Sequence, residues 1–120
     1  MLSSKYTTVT GDVLLSAGYI TLIGGFNQRY RNKLIQRWAK TLTEEGFQCS
    51  KEFVFTELFG DSYKIRKWHL NQLPSDSMSV NNALVVEKTK RFSLLVDPQV
   101  QGITWLKSQF DDGGTLTVVK

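Results

Sequence analysis

The stretch that decides the fold is FSLLVDPQVQGITWLKSQ, residues 92–109. An apolar run ends at Asp97, and Gly102 follows five residues later, with Ile103 and Thr104 directly after it. A phosphate-binding P-loop reads G-x-x-x-x-G-K-[ST] after a buried strand. In the same frame this chain reads D-x-x-x-x-G-I-T, so the stretch has the position of a nucleotide site.

The chemistry of a P-loop is largely missing from this frame. Asp97 stands where the first glycine belongs, and its carboxylate would repel phosphates. Pro98 has no backbone N–H to donate, and Ile103 replaces the lysine, although Gly102 and Thr104 still fit the pattern. The missing lysine and the added aspartate together change the charge of the site by two units. Each unit opposes phosphate binding by about 2–4 kcal/mol at an effective dielectric near 20. We therefore expect no bound nucleotide.

The predicted degenerate P-loop comprises Asp97, Pro98, Gln99, Val100, Gln101, Gly102, Ile103 and Thr104.

The residues around this loop predict a βαβ unit over about 92–120. The apolar run RFSLLVD is typical of a fully buried strand. Residues 101–110 have apolar side chains at helical spacing, and TLTVVK, residues 115–120, is rich in β-branched residues and favours a second strand. Two such strands joined by a helix should be parallel, with a right-handed crossover.

Helices are predicted over about 11–91, after a polar N-terminal segment at residues 1–10. The run GDVLLSAGYITLI favours a buried helix that ends at Gly24 and Gly25. The next helix has a plausible N-cap at Asn27 and a stop at Gly46. Its predicted apolar stripe recurs every four residues, at Phe26, Tyr30, Leu34, Trp38 and Leu42.

Two further elements are predicted before residue 91. A short helix capped by Asp61 covers DSYKIRKWHL. The segment SVNNALVVEKTKR is either a helix that Ser79 begins or, at ALVVE, a strand, and periodicity does not decide between them. The predicted fold class is α/β, with N-terminal helices followed by the βαβ unit and its short parallel sheet.

Composition limits the possible functions. The 120 residues are 41% hydrophobic and 22% charged, which suits one globular domain. Cys49 and His69 are the only residues of their kinds, so neither an internal disulfide nor a Cys/His zinc site is expected. The residues suggest no catalytic group. No apolar run approaches the ~18–20 residues that span a bilayer, so an intracellular chain without membrane contact is expected.

The chain is mildly basic, with a formal net charge of +4. Arg29, Lys33, Arg37 and Lys40 flank the apolar stripe of the second predicted helix. This basic helix, residues 29–40, offers an alternative function, a small interaction module that binds nucleic acid or an acidic partner. Nucleic acid is the less favoured partner, because no aromatic platform is interleaved with the basic residues at a recognisable spacing.

Three separated blocks of sequence resemble the fifth AAA+ module of dynein heavy chains. They are GDVLLSAGYITLIGGF, LPSDSMSVNNALVV and FSLLVDPQVQGITWLK, and the resemblance runs from about Gly11 to Lys120. In the third block, Trp105 and Lys107 match the family's helix after the P-loop position. The chain departs at Gly102–Thr104, where the family usually has Ala-Asn-Lys, and at Phe92 and Ser93, where it usually has Trp-Pro.

The resemblance implies part of an AAA+ large subdomain, related to P-loop NTPases, in a ring-shaped microtubule motor. In dyneins the fifth module looks structural, and other modules of the ring hydrolyse ATP. The implied partners are neighbouring AAA+ modules and, through the parent protein, microtubules and dynein subunits. The sequence of these blocks is closer to axonemal than to cytoplasmic dyneins, which implies a location in the cytoskeleton of the cilium. No cofactor or metal is expected.

Overall fold

A computed structural model describes residues 2–110 and 116–119, with side chains from residue 6 onward. It divides into two compact units, residues 1–55 and 56–120. The described residues contain six helices: α1 Leu2–Leu22, α2 Gln28–Glu44, α3 Phe55–Phe59, α4 Ser62–Leu70, α5 Ser77–Lys88 and α6 Gln101–Phe110.

The first unit is organised by helices α1 and α2, which pack against each other. Leu15, Tyr19 and Ile23 are buried along the α1 side of this contact. Tyr19 also stacks on Phe55 with 4.5 Å between the ring centroids. Since α1 begins at Leu2, residues 2–10 of the predicted polar segment are part of this helix.

A buried carboxylate joins α1 to the segment that follows α2. Asp12 is 5% exposed and accepts hydrogen bonds from the Ser50 backbone N–H at 2.9 Å and the Ser50 hydroxyl at 2.6 Å. Gly11 permits this close approach, because a Cβ at that position would lie only 2.6 Å from the Cys49 sulfur. Asp12 and Ser50 are far apart in the sequence, and their contact brings the end of the unit back onto α1.

The predicted stripe of α2 is only partly correct. Phe26 and Tyr30 are 42% and 57% exposed, whereas Arg31 is fully buried. A spacing of four residues advances about 40° per step around a helix of 3.6 residues per turn, so the two ends of the stripe face different directions. Arg31 donates from Nε to the Phe26 carbonyl at 2.7 Å and from Nη2 to the Gly24 carbonyl at 3.4 Å. The buried guanidinium thereby fixes the turn between α1 and α2.

The helix boundaries follow predicted local signals. The side chain of Asn27 caps α2 by accepting the Tyr30 N–H, and Asp61 caps α4 by accepting the Tyr63 N–H. Both predicted N-caps are confirmed. Gly46 follows α2 with φ of 89°, a left-handed conformation that glycine adopts at little cost.

The second unit contains α4, α5 and α6 around two tryptophans. Trp68 and Trp105 are both buried and meet edge to face, with 5.7 Å between ring centroids. Lys64 of α4 forms an ion pair with Glu87 of α5. The predicted ambiguity at ALVVE is resolved as a helix, since α5 runs from Ser77 to Lys88 and Asp76 caps it.

The predicted βαβ unit and its parallel sheet are wrong for the residues that the structure describes, although its central helix is present as α6. Residues 92–96 have no regular structure, and Phe92, Leu94 and Val96 are 108%, 91% and 87% exposed. A strand forms only where neighbours satisfy its backbone groups, and no described segment pairs with this one. Residues 116–119 of the second predicted strand are likewise irregular, and 115 and 120 lie outside the described residues.

Within the described part of the chain, no helix combines the length and apolar character that crossing a membrane requires.

We expect the substitution Gly11→Ala to lower the free energy of unfolding by about 1–3 kcal/mol, because the new methyl group is overpacked against Cys49 and Gln48. Urea denaturation followed by circular dichroism measures the change. The matched control is Gly24→Ala, since no atom lies within 4 Å of a Cβ built at Gly24. Equal stability of the two variants would contradict the close contact at Gly11.

The cap of α5 should make stability depend on pH. Ser79 donates its hydroxyl and its backbone N–H to the Asp76 carboxylate, at 2.8 and 2.9 Å, and these bonds lower the pKa of Asp76 below its usual value. A lowered pKa in the folded state stabilises the fold above the carboxyl's unfolded pKa of about 3.9, and this stabilisation is lost as the pH falls through the lower value.

The substitution Asp76→Ala should therefore cost about 1 kcal/mol at neutral pH. The difference from wild type should shrink as the pH falls below about 4. Urea titrations at several pH values measure it, with Ser75→Ala as a neighbouring exposed control. A difference that grew on acidification would contradict the assigned role of Asp76.

Candidate functional site

The candidate site is the loop that connects residues 92–96 to helix α6. Asp97 begins the loop, and its carbonyl accepts the Val100 N–H at 3.2 Å, which closes a tight turn. Helix α6 begins at the next residue, Gln101. The structure therefore brings the predicted P-loop residues 97–104 together as one continuous turn and helix start.

The Asp97 carboxylate caps α6. One oxygen accepts the Gln101 backbone N–H at 2.9 Å, and the other accepts the Ile103 backbone N–H at 2.9 Å. The first N–H groups of a helix have no partner within the helix and form the usual docking point for a phosphate. Here the chain's own carboxylate occupies two of these donors.

Gly102 makes room for this carboxylate. A Cβ on Gly102 would lie 3.3 Å from Oδ2 of Asp97 and 3.5 Å from its Cγ. In a working P-loop the glycine at this position permits close approach of a phosphate. No observation tests whether Gly102 corresponds to that glycine. In this chain Gly102 leaves space for the Asp97 carboxylate.

The hydroxyl in the magnesium-ligand position also has an internal partner. Thr104 donates its hydroxyl to the Val100 carbonyl at 2.6 Å. Ile103, at the lysine position, brings no charge to the loop. Lys107, one turn further along α6, is exposed. The first glycine and the lysine of a P-loop are therefore replaced, and two of the helix N–H donors are engaged by Asp97.

Val100 holds the loop in an unusual backbone conformation. Its φ is 61°, in the left-handed region that β-branched residues rarely adopt. Backbone strain of this kind costs of order 1–3 kcal/mol and persists only where neighbouring contacts hold it. Those contacts are the turn bond to Asp97 and the Thr104 hydroxyl bond to the Val100 carbonyl.

A cavity of about 240 Å³ lies beside the loop in the second unit. Leu73, Ala83 and Trp105 contribute apolar walls, and Asp97 lies at the polar side. Trp105 is buried, and its indole N–H has no hydrogen-bond partner among the described residues. The cavity therefore has apolar walls away from the loop, whereas Asp97, Gln99 and Gln101 line it on the loop side.

Metal chemistry has no support within the described residues, which contain no group of three or more potential side-chain ligands. The Cys49 thiol lies in the first unit and is partly exposed. Burial, together with the nearby Asp12 carboxylate, raises the pKa of Cys49, so the thiol is less reactive than a free cysteine.

The basic helix is present as α2, and Arg29, Lys33, Arg37 and Lys40 are all exposed on it. Lys40 pairs with Glu44 at 3.8 Å, and the Lys33 ammonium lies 5.9 Å from the centre of the Tyr30 ring. Such exposed contacts contribute little to stability. The predicted role of this helix in binding remains untested.

Sequence reasoning placed Asp97 correctly in the loop but missed its function as a cap. An Asp-Pro pair shortly before a predicted helix is a known start signal and could have indicated it. Asp12 was matched only to a family block, and Arg31 was not singled out. No local pattern predicts either contact. Asp12 accepts hydrogen bonds from Ser50, which is 38 residues away in the sequence. Arg31 donates to carbonyls of the turn between α1 and α2, whose direction depends on how that turn folds.

Comparisons with known proteins identify relatives over nearly the whole chain. The family model described as the ATP-binding dynein motor region matches residues 66–120. Dynein axonemal heavy chain 3 of Homo sapiens is 34% identical over 119 residues, which are 99% of this chain and 3% of that protein.

Two further relatives are similarly close. Dynein axonemal heavy chain 5 of Mus musculus is 35% identical over 84% of this chain, and dynein axonemal heavy chain 8 of Homo sapiens is 36% identical over 88%. The chain spans 2–3% of the length of these relatives. The chain therefore belongs to the dynein heavy chain family, and its similarity is to axonemal members.

Proposed function

We propose that this chain is a structural part of an AAA+ module in a dynein motor ring and binds no nucleotide at residues 97–104. The observation that carries the proposal is the Asp97 carboxylate, which accepts the Gln101 and Ile103 N–H groups at 2.9 Å each. A phosphate at this helix start would have to displace an anion that is covalently part of the chain.

Electrostatics support the same conclusion. The loop has a carboxylate and no cation, because Ile103 stands in the lysine position. The description of the family model names ATP binding, whereas this chain departs from the P-loop pattern at Asp97 and Ile103.

The role in the motor follows from the family. The resemblance of the three sequence blocks favours the fifth AAA+ module. Its partners would be neighbouring AAA+ modules, and through the parent protein it would contribute to a microtubule motor whose ATPase sites lie in other modules. The axonemal relatives favour the cytoskeleton of the cilium as its location.

The first test is a titration of the 120-residue chain with a fluorescent ATP analogue and magnesium. We expect no saturation below millimolar nucleotide, because the phosphate donors are occupied and the lysine is missing. Isothermal calorimetry with unmodified ATP serves as an independent measurement. Saturable binding at micromolar nucleotide in both experiments would contradict the proposal.

A double substitution tests whether Asp97 and Ile103 prevent nucleotide binding. The variant Asp97→Gly with Ile103→Lys restores the reading G-x-x-x-x-G-K-T, and we expect nucleotide affinity to rise by at least about tenfold, since two unfavourable charge units are removed. The control is Glu57→Gln with Leu70→Lys, which makes the same charge change at two exposed positions of the same unit. If nucleotide affinity rose equally in both variants, the rise would reflect the added positive charge and not the identity of the loop residues, which would contradict the assigned role of Asp97 and Ile103.

A further inference from the structure

The segment between α5 and the loop at Asp97 places one serine directly after a cluster of positive charge. Ser93 follows Lys90 by three residues and Arg91 by two, and residues 88–96 contain no acidic side chain. Lys90 and Arg91 are exposed and form no ion pair with the described residues. These two cations are therefore available to a partner that approaches Ser93.

The nearest acidic groups on either side are already engaged within the chain. Glu87, before the cluster, forms an ion pair with Lys64 of α4. Asp97, after the apolar run, accepts the Gln101 and Ile103 N–H groups. The charge around Ser93 is therefore positive on its N-terminal side, and neither neighbouring carboxylate pairs with these cations.

Ser93 is accessible together with the residues that flank it. It is exposed, and Phe92 and Leu94 are 108% and 91% exposed. Residues 92–96 have no regular structure, and no hydrogen bond joins their backbone to other described residues. An enzyme that modifies a side chain takes several flanking residues into its cleft, so it acts where the backbone is exposed and has few hydrogen bonds to give up.

The structure distinguishes Ser93 from the other hydroxyl groups that follow a cation by two or three residues. These are Thr7 and Thr8, which follow Lys5, and Thr43, which follows Lys40. All three lie within helices α1 and α2, and each follows a single cation. The Thr43 hydroxyl also donates to the Ala39 carbonyl at 2.8 Å. Ser93 alone among these four combines two preceding cations with an irregular, exposed backbone.

We propose that Ser93 is a phosphorylation site for a serine kinase with an acidic substrate cleft. Lys90 and Arg91 complement the acidic cleft, and Leu94 offers it an apolar contact directly after the serine. The Ser93 hydroxyl oxygen attacks the γ-phosphorus of ATP, the bond from that phosphorus to the β–γ bridging oxygen breaks, and ADP leaves. The hydroxyl proton passes to an aspartate of the kinase. The kinase holds the ATP, so the proposal does not depend on nucleotide chemistry at residues 97–104.

A phosphate on Ser93 would change how the apolar run behaves. It adds a charge of about −1.5 to −2 at pH 7, whereas residues 92–96 otherwise contain no charge. Burying such a charge without a partner is costly, so the phosphorylated run stays in water. The unmodified run remains available for contact with an apolar surface, and phosphorylation therefore controls that availability.

The test incubates the 120-residue chain with magnesium, ATP and a serine kinase that prefers basic residues before the serine. A second serine kinase, which prefers acidic residues, serves as the comparison enzyme. The mass of the intact chain counts the phosphoryl groups, and fragmentation of the peptide that contains Ser93 locates them. We expect one phosphoryl group on Ser93 from the first kinase and none on Ser93 from the second.

Variants identify the residues that the kinase recognises. Ser93→Ala should abolish the modification, and Lys90→Ala with Arg91→Ala should lower its initial rate by at least about tenfold. The matched control is Arg66→Ala with Lys67→Ala, which removes two exposed cations from α4 and should leave the rate unchanged. Circular dichroism checks that each variant keeps the helical content of the wild type.

Three results would overturn the proposal. The first is a chain that stays unmodified under conditions in which the same kinase fully modifies a control peptide with two basic residues before its serine. The second is phosphate on Thr43 or another hydroxyl in place of Ser93. The third is an equal loss of rate in the two variants that each lack a pair of cations.

Discussion

The carboxylate of Asp97 accepts two backbone N–H groups at the start of α6, and much of the second unit's local order depends on this contact. It fixes where α6 begins, which in turn sets the position of Trp105 against Trp68. The same contact removes the donors that a phosphate would need. A single side chain therefore caps the helix and occupies two of its first N–H donors, and the proposed function rests on this same contact.

The first unit shows that buried charges can be accommodated without an opposite charge nearby. Asp12 accepts hydrogen bonds from the N–H and hydroxyl of Ser50. Arg31 donates from Nε and Nη2 to the carbonyls of Phe26 and Gly24, whereas its Nη1 is buried without a hydrogen-bond partner among the described residues. Hydrogen bonds to charged groups are stronger than those between neutral groups, and they offset part of the cost of burial. Both residues fix segments without regular structure, so they determine how the helices are connected.

Short-range signals in the sequence predicted the helices well, and long-range contacts were not accessible to them. Asn27 and Asp61 were identified as caps because capping involves only the next two or three residues. The strand at residues 92–97 was predicted from its apolar composition, but composition does not supply a neighbouring strand. At the candidate site, the frame from Asp97 to Thr104 identified the missing charges, whereas the direction of the Asp97 carboxylate toward the helix required the folded backbone.

The exposed run at residues 92–96 also bears on how the isolated chain behaves at high concentration. Phe92, Leu94 and Val96 present alternating apolar side chains to water, and the run itself contains no charge. Short extended segments of this composition nucleate intermolecular β-aggregation. Lys88, Lys90 and Arg91 precede the run, and such flanking cations act as gatekeepers through mutual repulsion. Colloidal stability of the chain should therefore decrease as added salt screens these charges.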